Sequence, residues 1–383
     1  MTDLRSSTGE TDLSPKRQKV TLILHEFDRG GSGRVTAYLA RGFVDRGMDV
    51  DLVVFRQGGE VETLLVELMG ADIPILYLGR KWAPRAIDLI RGLPRLVRHL
   101  RQRRPDVIIA TANNTAWVSA AARTLSGQIF ARLYLKTTNP IATSRHKGLV
   151  KSLRRWGYRH VFSGTEGVWT LSADESQEMR IAFPDTPRLF REVINPYVTP
   201  AMLTTPAVEI GAATRRTVLG VGRLTSQKRF ERLIEAFALL TEPDLHLTIL
   251  GEGEERPALT ALVHRLGLSS RVSLPGFVTN VAEAFHNANV FVLPSDYEGL
   301  PAVVLEAMAA NCPILCTDCF PAARSMLGAT DGCAIIEQSD PSSLAALIKA
   351  RLALPRPTNL RTIAERYSIA NGIASHAAAM SNP

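Results

Sequence analysis

Hydrophobic positions along the chain alternate between short apolar runs and stretches with helical spacing. Residues 20–24 form an apolar run that is typical of a buried parallel strand. A glycine-bearing loop follows at 28–33, and apolar side chains recur at helical spacing over 35–43 before the next apolar run at 50–54. This order of strand, loop, helix and strand predicts a βαβ unit.

The same alternation continues to the end of the first half and then restarts. Residues 195–216 contain three prolines and no sustained period, which predicts a linker. The pattern predicts further strands at 73–78, 106–110, 129–135, 167–171, 191–194, 217–222, 246–250, 271–274, 290–293 and 313–316. It predicts further helices at 87–103, 116–125, 145–160, 229–240, 254–266, 280–287 and 301–310.

Two α/β halves of similar size predict two Rossmann-like, doubly wound parallel-sheet domains that face each other across a central cleft. Ligands of such domains bind at the carboxyl ends of the strands. We assign residues 1–17 to a disordered tail, 18–195 to the first domain, 196–216 to the linker and 217–358 to the second domain. We expect residues 359–383 to form a partly helical tail that packs back onto the first domain.

Composition is that of an ordinary globular protein, with 45% hydrophobic and 21% charged residues among 383. Because the chain has no apolar run of about 18 residues and no apolar leader, we expect no spanning helix or secretory signal and a cytoplasmic location. Cys312, Cys316 and Cys319 show the Cys-x3-Cys-x2-Cys spacing of an iron–sulfur ligand set. Their strand context favours small buried hydrophobes instead, so we expect neither a metal nor a disulfide.

Charge is unevenly distributed along the chain. Residues 1–200 carry 30 Lys and Arg against 20 Asp and Glu, whereas residues 201–383 carry 15 against 17. The basic segment 145–160 has no acidic residue and places Leu149, Leu153 and Trp156 on one helical face. This pattern predicts a helix that lies on an anionic membrane surface, the alternative being an ordinary helix that packs this face into the core. No aromatic and basic platform suggests nucleic-acid binding.

The loop after the strand at 217–222 carries two cations that suit a diphosphate. Arg223 supplies a planar fork and Lys228 a point charge, although two solvated loop cations are the simpler interpretation of this pair alone. Pro301 fits the first turn of a helix, so the backbone N–H groups of Gly299 and Leu300 form a positive helix end that suits a phosphate.

Two glutamates flank this helix start. Glu298 stands directly before it, and Glu306 lies on the helix between apolar residues. A carboxylate in so apolar a helix is costly to bury without a partner. A ribose diol would satisfy Glu306; the alternatives are that it is exposed or that it pairs with an arginine.

These segments resemble the donor domain of the family-4 retaining glycosyltransferases, which have the GT-B fold. Glu298 and Glu306 have the Glu-x7-Glu spacing of that family. The resemblance covers about residues 20–350 and is looser in the first half. The segments that carry it are 218–237, 250–253, 274–277 and 291–318, together with 25–54, which resembles the first βαβ unit of that family.

The resemblance implies a retaining, metal-independent hexosyltransferase without a cofactor. It would move a sugar from a UDP- or GDP-sugar to a glycolipid, lipid-linked saccharide or other glycan, in bacterial polysaccharide or lipopolysaccharide synthesis at the inner face of the cytoplasmic membrane. In this family Arg223 and Lys228 would hold the diphosphate, Glu306 the ribose, and Glu298 with Gly299 and Leu300 the sugar. Phe277 and Val278 would border the base, and Gly31 would approach the phosphates.

The sequence departs from the family pattern where it matters for proton transfer. Many relatives have a histidine at the position of Thr138, and the usual glycine before Cys312 is Asn311. The missing histidine leaves no obvious proton acceptor, although in the retaining, front-face mechanism the departing phosphate can take that proton. A non-catalytic GT-B protein that binds glycans or membranes, and a GT-B nucleotide-sugar epimerase, therefore stay as alternatives.

Overall fold

The computed structural model describes residues 17–27, 30–59, 61–79, 84–142, 148–204, 216–337 and 340–381. Residues 1–16 of the predicted disordered tail, residues 28 and 29 of the glycine loop and residues 205–215 of the predicted linker lie outside this part of the chain. Residues 145–147 of the basic segment and the side chains of residues 148–151 lie outside it as well.

The first half of the described chain folds around a seven-stranded parallel sheet. Its apolar strands are buried between helices on both faces, as their continuous hydrophobic runs predict. The strands are β1 (Lys19–Leu24), β2 (Asp49–Val54), β3 (Ile75–Tyr77), β4 (Val107–Ala110), β5 (Arg132–Lys136), β6 (Gly167–Thr170) and β7 (Phe190–Glu192), in the spatial order β3-β2-β1-β4-β5-β6-β7. The helices are α1 (Gly31–Asp45), α2 (Glu62–Met69), α3 (Arg85–Arg103), α4 (Ala116–Leu125), α5 (Gly148–Phe162) and α6 (Ala173–Ala182), followed by the short α7 (Pro200–Thr204).

The second half of the described chain builds a six-stranded parallel sheet of the same kind. Its strands are β8 (Arg216–Val221), β9 (Leu245–Leu250), β10 (Val272–Gly276), β11 (Val290–Leu293), β12 (Ile314–Thr317) and β13 (Cys333–Ile336), in the order β10-β9-β8-β11-β12-β13. The helices are α8 (Phe230–Ala238), α9 (Arg256–Arg265), α10 (Ala282–Asn287), α11 (Ala302–Ala309), α12 (Ala323–Leu327) and α13 (Pro341–Leu352). The prediction of two doubly wound parallel-sheet domains is confirmed.

Strand order reverses once in each sheet, between β1 and β4 and between β8 and β11. The carboxyl ends of adjacent strands diverge at such a switch point, and this leaves a crevice that binds ligands. The glycine loop at the start of α1 and the loop before α11 both lie at these points. Topology alone therefore directs the two candidate loops toward a shared cleft.

The C-terminal segment returns to the first domain through two helices, α14 (Leu360–Glu365) and α15 (Ile369–Ser381). Helix α14 packs on α11, whereas α15 packs on α1. The carbonyl oxygen of Met380 in α15 accepts hydrogen bonds from Arg132 at 2.5 Å and from the Tyr134 hydroxyl at 3.3 Å. The chain therefore crosses between the domains twice, and the tail completes the helical layer of the first domain.

Several elements were not predicted from the hydrophobic pattern, among them α2, α6, α12, β13 and α13. Helix α6 is mostly polar, and its start is marked by a cap in which the Ser172 hydroxyl accepts from the backbone N–H of Glu175 at 3.1 Å. The predicted strand 129–135 begins only at Arg132. No helix of the described chain has the length and apolarity that are needed to cross a bilayer.

Candidate active site

The carboxyl ends of the two sheets enclose a cleft of about 480 Å³. It is lined by residues of both domains that are far apart in sequence. All nine residues that the sequence singles out line this one cleft: Gly31, Arg223, Lys228, Phe277, Val278, Glu298, Gly299, Leu300 and Glu306. Their individual roles stay predictions, but their convergence is a property of the fold.

The loop after β8 is held in place by two glycines from the neighbouring strand end. A Cβ atom at Gly251 would lie 1.9 Å from the carbonyl oxygen of Gly222, and one at Gly253 would lie 2.2 Å from that of Leu224. Only glycine permits so close an approach of two backbones. This packing presents the exposed Arg223 to the cleft, where no side chain of the described residues pairs with it.

Glu298 and Lys228 form an ion pair in the centre of the site. The Lys228 ammonium donates to Glu298 Oε1 at 2.7 Å, and the two side chains are only 12% and 10% exposed. The loop that carries Glu298 is also tied to the loop of Lys228, because the Gln227 amide donates to the carbonyl of Tyr297 at 2.7 Å. The predicted diphosphate cation and the predicted sugar-binding carboxylate are thus direct partners.

Glu306 pairs with Arg34, a residue that sequence reasoning missed. Glu306 is 4% exposed on α11, and the Arg34 guanidinium on α1 donates to its Oε1 atom across the domain interface. The carboxylate in turn raises the pKa of Arg34. Of the alternatives left open by the sequence, pairing with an arginine describes this structure, and a ribose would have to compete with that arginine.

The two domains also touch through Gly299 and Leu300. A Cβ atom at Gly299 would lie 2.2 Å from the carbonyl oxygen of Thr138, so glycine is required there for the contact. The Tyr197 hydroxyl donates to the carbonyl of Leu300 at 3.2 Å and accepts from the Asn195 amide at 2.7 Å. Burial raises the pKa of Tyr197 to about 12, so this phenol stays a donor at neutral pH.

The loop at Thr138 is fixed by Asn113. The Asn113 side chain accepts from the backbone N–H of Thr138 at 2.9 Å and donates to the carbonyl of Asn139 at 2.7 Å. Thr138, where many relatives of the resembled family have histidine, lines the cleft beside Gly299. Its side chain does not supply a group that titrates near neutral pH.

Comparison with known proteins identifies the family of this chain. A profile described as Glycosyl transferases group 1 matches residues 207–368, and one described as Glycosyl transferase 4-like domain matches residues 30–190. The lipopolysaccharide core biosynthesis glycosyltransferase LpsE of Rhizobium meliloti is 30% identical over 298 residues, which cover 75% of this chain and 76% of that protein. The chain belongs to the group 1 glycosyltransferases.

Other glycosyltransferases match over shorter stretches. An uncharacterized glycosyltransferase of Methanocaldococcus jannaschii is 27% identical over 62% of this chain and 62% of its own length. The N-acetylgalactosamine-N,N'-diacetylbacillosaminyl-diphospho-undecaprenol 4-alpha-N-acetylgalactosaminyltransferase of Campylobacter jejuni is 34% identical over 38% of this chain and 40% of its own length. The match therefore spans less than two thirds of these relatives.

Solved structures of glycosyltransferases establish the GT-B fold of this group 1 member. Sucrose-phosphate synthase of Thermosynechococcus elongatus superposes with a TM-score of 0.80 at 19% identity, over 95% of this chain and 98% of that one. HepE of Anabaena in complex with UDP and glucose superposes with a TM-score of 0.75 at 18% identity, over 96% and 100%. At these identities the likeness concerns the fold alone.

Further residues of the cleft that sequence reasoning missed include Lys136, Asn195 and Tyr197. Lys136 is the last residue of the apolar strand β5. Because ligands bind at the carboxyl ends of such strands, a lysine at this position could have been predicted to face the cleft. Asn195 and Tyr197 stand at the start of the predicted linker, where no pattern marked them. Only the tertiary structure places these two residues, which lie between β7 and α7, at the cleft.

The cysteines belong to the core of the second domain. Cys312, Cys316 and Cys319 are buried, and their thiols are free. Burial raises the pKa of Cys312 to about 12, which keeps this thiol protonated. Within the described chain, no three His, Cys, Asp or Glu side chains are grouped so that they would hold a metal ion.

Proposed function

We propose that this protein is a retaining glycosyltransferase that transfers a sugar from a nucleoside-diphosphate sugar to a glycan or lipid-linked acceptor. The observation that carries the proposal is the convergence of nine predicted donor-site residues from both domains on one cleft. The relatives LpsE of Rhizobium meliloti and the diphospho-undecaprenol-linked transferase of Campylobacter jejuni, by their names, act in glycan assembly. HepE of Anabaena was solved with UDP-glucose.

The chemistry follows from the charges around the cleft. Arg223 and Lys228 would neutralise the diphosphate as the bond between sugar C1 and the phosphate oxygen breaks, so we expect no need for a divalent metal. Glu298, released from Lys228 by the incoming diphosphate, would accept hydrogen bonds from sugar hydroxyls. The acceptor oxygen would attack C1 on the same face of the sugar from which the leaving group departs. The departing phosphate oxygen would take the proton of the acceptor hydroxyl. The configuration at C1 is then retained.

Thermal-shift titration with UDP and GDP, with and without EDTA, tests the donor assignment. Because Arg223 is exposed and without a partner in the described structure, Arg223→Ala is expected to fold and to weaken binding about 10-fold. The Arg223→Ala/Lys228→Ala double variant is expected to lose binding. Arg265→Ala, an exposed arginine on α9, is the control. Unchanged binding in the double variant, or an absolute need for magnesium or manganese, would contradict the proposal.

We also propose that the first domain docks on the anionic inner surface of the cytoplasmic membrane, where a lipid-linked acceptor is presented. Leu153 and Trp156 on α5 are 64% and 65% exposed, so their side chains do not pack into the core. That side of the helix suits the headgroup region of a bilayer. The predicted basic flank is only partly free, because Arg154 stacks on Tyr158 and Arg155 on Phe183.

Vesicle sedimentation tests this docking. We expect recovery with phosphatidylglycerol vesicles that falls with salt, little recovery with phosphatidylcholine vesicles, and loss of binding in Leu153→Ser/Trp156→Ser. Leu354→Ser, which changes a similarly exposed leucine in the second domain, is the matched control and should bind like the wild type. Equal recovery with both lipids, or with neither, would mean that the protein meets its acceptor in solution.

A further inference from the structure

Lys136 is a buried cation of the cleft for which the described residues supply no side-chain partner. It ends β5, its residue is 3% exposed, and it lines the cleft. Among the described residues, no oxygen accepts a hydrogen bond from its ammonium group and no carboxylate lies within ion-pair distance. Glu175, the acid whose field acts on it, accepts at Oε2 from the Leu171 N–H at 2.7 Å and the Thr137 hydroxyl at 3.1 Å, whereas its buried Oε1 has no hydrogen-bond partner among the described residues and does not reach Lys136.

The other Lys and Arg side chains that the first domain contributes to the described cleft are Arg34 and Arg85. Arg34 is bound to Glu306, and Arg85 donates to Glu26 at 3.0 Å. Of the Lys and Arg side chains that the described part of the first domain contributes to the cleft, Lys136 is therefore the one without a carboxylate partner. A buried ammonium group without an acceptor is costly, and burial lowers the pKa of Lys136 to about 7.

The first-domain wall of the cleft carries a second polar group without a partner. Asn114 also lines the cleft, and its buried Oδ1 atom has no hydrogen-bond partner in the described structure. A ligand that carries a negative group beside a hydroxyl would satisfy both residues. The position also suits a substrate, because Thr138, two residues after Lys136, touches Gly299 next to the predicted sugar-binding Glu298.

We propose that Lys136 binds an acidic group, a carboxylate or a phosphate, on one of the two substrates of the transfer reaction. This inference rests on the proposed function and deepens it, since it defines the chemical class of a substrate. Two sources offer that chemistry: a uronate sugar on the donor, or an acidic group on the acceptor. Lys136 would then set the preference for acidic over neutral substrates.

Two titration arms separate the sources. The donor arm compares a nucleoside-diphosphate uronate with the matching neutral hexose donor, using the base that binds in the first thermal-shift experiment. The acceptor arm compares glucuronate with glucose, and glycerol 3-phosphate with glycerol, each at saturating nucleoside diphosphate. Both arms use wild type, Lys136→Met, Lys136→Arg and the control Arg85→Met, which removes a paired cation of the same wall.

We expect the wild type to bind an acidic probe at least about 10-fold more tightly than its neutral counterpart in one arm. Lys136→Met should lose this preference and keep its affinity for the nucleoside diphosphate, whereas Lys136→Arg and Arg85→Met should keep the preference. A residue that only supports the fold would not change the ratio of acidic to neutral affinity.

A wild type without any acidic preference, or a Lys136→Met variant that retains it, would overturn the inference. If Lys136→Met does not fold, Lys136→Gln takes its place, and a Lys136→Gln variant that keeps the acidic preference overturns the inference. Failure of every nucleoside diphosphate to bind would instead contradict the proposed function. The two failures are therefore distinguishable.

Discussion

The carboxylates of the cleft are already bound to cations. Glu298 pairs with Lys228, and Glu306 pairs with Arg34. Neither carboxylate is therefore an isolated charge in the free protein. A buried carboxylate requires such a partner, because the loss of hydration is otherwise uncompensated. The donor would exchange these partners, with its phosphates replacing Glu298 beside Lys228 and its ribose replacing Arg34 beside Glu306.

At the scale of single residues, the two glutamates should have separable effects. We expect Glu306→Gln to weaken nucleoside diphosphate binding about 10-fold or more, because an amide binds the ribose hydroxyls less strongly than a carboxylate. Glu298→Gln should leave that affinity unchanged or raised, since it releases Lys228, and should lower turnover with the sugar nucleotide. Calorimetry and a donor-hydrolysis assay measure the two effects. Loss of diphosphate affinity in Glu298→Gln would show that the roles are assigned wrongly.

Helices α1 and α11 are joined by an ion pair between the domains. The Arg34–Glu306 pair joins the first turn of α1 to the middle of α11, and Arg34 Nε is buried without a further acceptor in the described structure. The pair therefore links the two domains across the cleft. It also occupies the carboxylate that the nucleotide is expected to use.

At the scale of these elements, Arg34→Met should lower the free energy of unfolding of the free protein. It should also increase the rise in melting temperature that nucleotide binding causes. We expect the free energy of unfolding to fall by about 2 kcal/mol. This is less than the cost of breaking a fully buried ion pair, because the Arg34 side chain is 30% exposed. The thermal shift caused by nucleoside diphosphate should exceed that of the wild type, since the ribose no longer competes with an arginine.

Arg41→Met is the control for this helix. Arg41 also lies on α1, but its partners Asp45 and Asp72 are exposed. We therefore expect Arg41→Met to change the free energy of unfolding by less than about 1 kcal/mol and to leave the thermal shift with nucleoside diphosphate as in the wild type. A nucleotide shift in Arg34→Met that is smaller than in the wild type would indicate that Arg34 binds the nucleotide directly.

At the scale of the whole molecule, the domains are joined by two crossing segments and by a backbone contact in the cleft. The backbone N–H groups of Tyr197 and Val198 both donate to the carbonyl of Tyr367, so the two crossings run side by side. Gly299 of the second domain touches Thr138 of the first. Closure of the cleft thus depends on a position where any side chain would collide with backbone.

Gly299→Ala should hold the domains apart. Because its Cβ atom would lie 2.2 Å from the Thr138 carbonyl oxygen, we expect a larger radius of gyration in small-angle scattering and turnover reduced about 100-fold by misplacement of the reacting groups. Gly164→Ala is the control, since its Cβ atom would lie 3.8 Å from the nearest described neighbour. An unchanged radius with unchanged turnover would show that the contact is not needed for closure.

Much of the fold was accessible from the sequence, because buried parallel strands are continuous apolar runs whatever surrounds them. Strands β8 and β11 lie within a residue of their predicted bounds, and the donor-side motif from Glu298 to Glu306 sits within one loop and one helix. Short or mostly polar elements such as α2 and α6 carry too weak a period to be predicted.

The sequence by itself determined the two-domain α/β architecture, because apolar runs and helical spacing are set by near neighbours in the chain, and it singled out nine candidate residues that line one cleft. Only the tertiary structure decided that Arg34 pairs with Glu306, 272 residues away, and that Lys136 is buried in the cleft without a partner. The sequence predicted that the C-terminal tail packs back onto the first domain, and the tertiary structure decided that α15 packs on α1 there. Such pairings follow from the packing of distant segments, and no local spacing encodes which residue will face which across a cleft.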